Sequence, residues 1–208
     1  MPDLQRQPIA TRIAQLQLRD ERRLAKEGYE LLDEKRIRLV AEIRAQLERL
    51  HRRRGEVRKA QQAARGALIA ALSRHGLDEL WSYPPLSADE GELTFTRTRL
   101  FGVELLETQW HESPAYLTEE PVNPSPEARV CARAHRALLE PLVMVAVCSL
   151  NLRRLIREYV RTERRARAIE NILLPEVEYS LKFIDEQLEI LDQEEVARVR
   201  QRRPDGAS

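Results

Sequence analysis

The residues able to do chemistry in this chain are four histidines, two cysteines and many charged groups, and their spacing assembles no reaction centre. Cys131 and Cys148 form neither a Cys-x-x-Cys pair nor a metal-ligand spacing. They read as small apolar side chains in a reducing compartment. His51, His75, His111 and His135 are scattered, which suits solvated or helix-capping roles better than metal ligation. There is no Gly-x-x-x-x-Gly-Lys-Ser/Thr loop to cradle phosphates and no His-Glu-x-x-His pair. Most carboxylates lie three or four residues from a Lys or Arg, the ordinary support of an exposed helix. The expectation is therefore no catalytic residue, no cofactor and no metal.

What remains is a pattern that must position surfaces rather than a reaction. Ile169, Leu173, Val177, Leu181, Ile184, Leu188 and Leu191 recur every three or four residues among charged and amide side chains. That spacing puts them on one narrow stripe of a helix, which suits a partner helix better than a broad core. A second stripe runs through Ile9, Ile13 and Leu16, then Leu39, Ile43, Leu47, Leu50, Val57, Ala64, Leu68 and Ala71. With 33% charged residues, 5% aromatics and seven glycines in 208 residues, the composition favours long helices over a globular core. Net charge is only +1, so no global field draws the chain to nucleic acid or anionic lipid.

In order, Pro8 is placed to open a helix, and His75-Gly76-Leu77 to stop it, with Gly76 left-handed and Leu77 folding back on Leu72. Residues 77–128 change character: six prolines fall among mainly acidic groups. Leu93–Leu100 alternates and is rich in threonine, and Val103-Glu104-Leu105 alternates again after Gly102, so a short β-hairpin fits there. Ser125 as N-cap and Pro126 at the first helical position start a second long helix running to about Arg203. Pro141 and Pro175 fall inside it and should each disturb it locally. The expected fold is all-α: a long antiparallel two-helix coiled coil with a small proline-rich head. Its parts are residues 1–76, 77–128 and 129–208.

If Ser82 lies near Arg129, facing residues carry numbers adding to about 211. Arg52-Arg53-Arg54 and Arg58-Lys59 then sit beside Arg153, Arg154, Arg157 and Arg161 as a basic belt. Lys35 and Arg36 fall close to Arg164 through Glu170. Between Leu39 and Ala71 the stripe advances about 3.56 residues per step, and between Ile169 and Leu191 about 3.67, a change from left-handed to straighter supercoiling.

Leu24-Ala25-Lys26-Glu27-Gly28-Tyr29-Glu30-Leu31-Leu32, followed by Lys35-Arg36 and Leu39, resembles the N-terminal helix of the D subunit of V/A-type ATPases and ATP synthases. The C-terminal signature of that family reads Arg-Arg-Val-Asn-Ala-Leu-Glu and then Ile-Pro. Arg164-Arg165-Ala166-Arg167-Ala168-Ile169-Glu170 and Leu174-Pro175 look like it, with Ala166 and Arg167 standing for Val-Asn. Leu100-Phe101-Gly102-Val103 resembles the Gly-Val turn of the family's middle region.

The resemblance implies a non-catalytic central shaft. Its partners would be the F subunit of the central stalk, the catalytic hexamer of A and B subunits, and the funnel subunit (C or d) above the membrane ring, with no nucleic acid and no membrane insertion. It would work in the cytoplasm as a peripheral part of a membrane-bound complex, coupling ATP turnover to proton or sodium translocation. Lys35, Arg36, Arg164, Arg165, Glu170 and Pro175 are the partner-interface candidates it marks. Two other classes share the pattern: a coiled-coil chaperone of the prefoldin kind, and a nucleic-acid-binding coiled coil using the basic belt. Co-purified clients, RNA or DNA, or an ATPase would distinguish the three.

Overall fold

The computed structural model describes residues 10–80, 83, 91–112 and 125–201. Helix α1 spans Arg12–Leu80, strands β1 and β2 span Gly91–Leu100 and Val103–Glu112, and α2 spans Pro126–Arg136. Helix α3 spans Leu139–Ala168, a π turn covers Ile169–Leu173, and α4 spans Leu174–Gln201. These elements fall into two compact units. One comprises residues up to Ile37 together with those from Val160 onward, and the other comprises Arg38–Tyr159.

The terminal unit is an antiparallel helix pair. The Thr11 hydroxyl accepts the Ala14 N–H at 3.1 Å and caps α1; the expected start at Pro8 lies outside the described residues. Arg12 meets Asp192 at 3.3 Å, and Arg36 meets Glu163 at 2.9 Å. Facing numbers therefore add to about 200, not 211. Ala25, Thr162, Ala166, Val177, Leu181 and Ile184 are buried between the helices. Ile13 and Leu16, expected in the seam, are 70% and 59% exposed. Of Gly28, Gly55 and Gly66, only Gly28 has a group of another element near its missing side chain, Ile169 Cδ1 at 3.9 Å from the Cβ position.

In the second unit α1 is interrupted where expected. Gly76 takes φ 69° and ψ 177°, a backbone region open almost only to glycine. Leu77 does not fold back; it is 64% exposed, and a last helical turn follows to Leu80. The hairpin is also where expected, with a longer second strand. β1 pairs antiparallel with β2, and Leu100 opposite Val103 leaves a two-residue turn at Phe101-Gly102, both with positive φ (50° and 84°). That is the twist a two-residue hairpin demands.

Ser125 caps α2, accepting the Ala128 N–H at 3.4 Å, with Pro126 at the first position as expected. The second long helix is not continuous, however. Pro141 has no N–H to offer the Ala137 carbonyl and its ring crowds that oxygen. The chain answers with a break at 137–138, where the Leu138 N–H turns to His135 O at 3.2 Å, a 3₁₀-type bond.

The core of this unit joins helices to hairpin: Leu39, Leu155, Val103 and Leu105 are buried together, with Ile43, Leu100, Phe101 and Tyr159 against them. Leu39 sharing a cluster with Leu155 shifts the expected pairing, so Arg52–Arg54 and Arg58 fall several turns from Arg153 and Arg154. The basic belt is not assembled. Arg154 instead donates to the Glu104 carbonyl at 2.8 Å.

Candidate partner interface

The residues singled out by sequence converge on one stretch of the terminal helix pair. Arg36 reaches across from α1 to the Glu163 carboxylate at 2.9 Å and also bonds Asp33 one turn back on its own helix. Glu163 takes a second donor, Arg167 Nε at 2.8 Å. Two turns back from Arg36 on α1, the Tyr29 hydroxyl bonds Glu170, the first polar group of the π turn, with Asp33 close to the phenol. The Glu170 charge, then burial and the Asp33 charge, push the Tyr29 phenol above its ordinary value. The Arg36 hydrogen bond, reinforced by Arg167, holds the Glu163 carboxyl below the usual carboxylate range.

A carboxylate with a depressed folded pKa adds stability that is complete above its unfolded value of about 4.3 and is lost as pH falls through the folded value. Glu163→Gln should therefore lower the urea midpoint at pH 7 and flatten its decline as pH falls below about 4.3. An acid profile parallel to that of the unaltered chain would show that this pair carries no pH-linked stability.

Of the six candidates, Arg36 and Glu170 enter this network. Lys35 is half-buried beside Arg36. Arg164 and Arg165 point outward, exposed and without an ion pair among the described residues, while Ala166 next to them in the seam is 1% exposed. Pro175 is exposed just past the π turn. The arrangement thus has a paired inner layer that fixes the helices and an unpaired outer pair of guanidiniums. Free guanidiniums suit carboxylate recognition on another surface.

Sequence reasoning missed two polar clamps. Asn151, 4% exposed, accepts the Leu106 N–H at 2.9 Å and donates to the Leu106 carbonyl at 2.7 Å, so its amide imitates a neighbouring strand on the outer edge of β2. A polar residue within an otherwise apolar segment of α3 was the available signal. The other clamp brings a serine, a histidine and a carboxylate together: His75 Nε2 lies 2.6 Å from Ser125 Oγ, and Nδ1 lies 3.1 Å from Glu79. This is not a nucleophile with its base. The Ser125 hydroxyl donates to Glu127 at 3.1 Å, is 3% exposed and caps α2, so the imidazole donates to it rather than taking its proton. It ties the end of α1 to the start of α2, beside an Arg74–Glu127 ion pair at 2.7 Å.

Among the described residues no group of histidines, cysteines and carboxylates is arranged to hold a metal ion. None of their helices is long and apolar enough to cross a membrane.

The family model for the D subunit of ATP synthase matches residues 14–202. The chain is 30% identical over 198 residues to the D subunit of a V-type ATP synthase from Thermus thermophilus, covering 91% of this chain and 85% of the relative. It is 26% identical over 183 residues to the V-type D subunit of Thermotoga neapolitana, with 88% and 90% covered. To the D subunit of the A-type ATP synthase of Archaeoglobus fulgidus it is 27% identical over 209 aligned residues, with 91% and 93% covered. The matched span takes in both arms of the terminal helix pair and the hairpin that lies between them in sequence, and the chain belongs to the family of ATP synthase D subunits.

Proposed function

We propose that the chain is the central-stalk shaft of a V/A-type ATPase or ATP synthase, a subunit with no active site of its own. The observation that carries this reading is the match to the D-subunit family over residues 14–202. The terminal helix pair suits the task. Two helices locked by side-chain pairs at 12/192, 36/163 and 29/170 resist untwisting better than a single helix.

In this role the terminal pair enters the cavity of the A/B hexamer, and Arg164 and Arg165 meet carboxylates of the hexamer or of the F subunit. Lys35, Arg36, Glu170 and Pro175 shape the same stretch. The funnel subunit (C or d) engages the lower end and links it to the membrane ring, where proton or sodium transport occurs. The protein works at the cytoplasmic side as a peripheral part of the complex.

Affinity purification of the tagged chain from its own cells tests this. The A, B and F subunits are expected to copurify, and the isolated chain is expected to hydrolyse no ATP. Recovery of unfolded clients or of nucleic acid in their place would overturn the reading, as would hydrolysis that survives repurification.

A further inference from the structure

We propose that residues 169–173 are a one-residue register joint, which resets the phase of the buried seam so that α4 keeps its apolar side on α1.

The buried positions carry the inference. Before the joint the seam uses Thr162 and Ala166, and after it Val177, Leu181 and Ile184. From Thr162 to Val177 the step is 15 residues, and from Ala166 to Leu181 it is also 15, two heptads and one residue more. Beyond the joint the seven-residue step returns, from Val177 to Ile184. In an uninterrupted α-helix one extra residue turns everything after it by about 100°. Glu176 and Ser180 would then take the places of Val177 and Leu181 against α1. The π turn absorbs the surplus residue: the Leu174 N–H bonds the Ile169 carbonyl five residues back instead of four.

Three neighbours hold the joint at this place. Pro175 has no N–H for the Asn171 carbonyl, so a regular ladder already fails there and widening costs least. On α1, Ile169 Cδ1 lies over Gly28, and Tyr29 bonds Glu170. The first two residues of the π turn are thus seated on two consecutive residues of the facing helix.

A surplus residue has a signature that ordinary coiled coil lacks: deletion and insertion at the same point have unequal effects. The test uses the full-length chain with Cys131→Ser and Cys148→Ser, and with Pro175→Ala so that no proline confounds a regular helix. To this are added either deletion of Asn171 or insertion of one alanine after it. The substitutions Gln15→Cys and Asp185→Cys, at two residues that bond each other across the pair, report register by disulfide cross-linking. Deletion is expected to leave the melting temperature within about 2 °C of the parent and to keep the cross-link between positions 15 and 185. Insertion should lower the melting temperature by about 5 °C or more and abolish the cross-link. Equal losses from both changes, or equal tolerance of both, would overturn the proposal.

Discussion

Leu155→Ala should lower the unfolding free energy of the chain by about 2–5 kcal/mol, the range for truncating a fully buried leucine. Leu155 is 0% exposed and packs with Leu39, Val103 and Leu105, so one side chain joins α1, α3 and the hairpin. A two-stranded sheet is marginal in water by itself, so this hairpin depends on that shared core. Loss of the β-strand signal should therefore accompany loss of stability. Urea denaturation followed by circular dichroism checks both. A loss below about 1 kcal/mol with the hairpin intact would show that it is held chiefly by Asn151 and Arg154 through the backbone of β2.

Pro175→Ala is expected to raise the melting temperature of the isolated chain and to reduce coupling in the assembled complex. A proline inside a helix costs about 3 kcal/mol or more. Here the π turn has already widened the backbone ahead of it, so the expected gain is about 1–2 kcal/mol. The seam still demands the surplus residue, so the π turn persists, but the ring no longer fixes the direction in which α4 leaves it. In the proposed role that direction sets where the tip of the shaft meets the hexamer. A variant that is more stable and couples ATP turnover to ion transport just as well would show that the proline has no mechanical part.

The elements were legible because local chemistry named them. Ser125-Pro126 opens a helix, Gly76 interrupts one, and alternating threonines before Phe101-Gly102 make a hairpin. Pairing register was not legible. Ser82, the anchor of the expected pairing, lies outside the described residues, and the register is fixed by His75 meeting Ser125 and by Leu39 sharing a core with Leu155, contacts between residues distant in sequence. An apolar pattern also passes over buried polar groups: Gln46, Asn151 and Thr162 are buried, while Leu47, a stripe residue, is 43% exposed.

The advance of about 3.67 residues per step after Ile169 suggested gradual straightening. The structure concentrates the surplus in one wide turn. Ile169 and Leu173 are as apolar as their neighbours, so the pattern alone could not show where the extra residue lay. Of the partner-interface candidates, Arg36 and Glu170 enter the cross-helix network, whose other members Tyr29, Asp33 and Glu163 were not among them.

ATP-driven ion transport measures most directly whether the proposed shaft carries torque between ATP turnover and ion translocation. A V/A-type complex from the same cells, stripped of its D subunit and reconstituted in vesicles, would be assayed with and without the purified chain. Transport should be absent without the chain and restored by it in proportion to ATP hydrolysed. Transport at the same ratio with and without the chain would contradict that role.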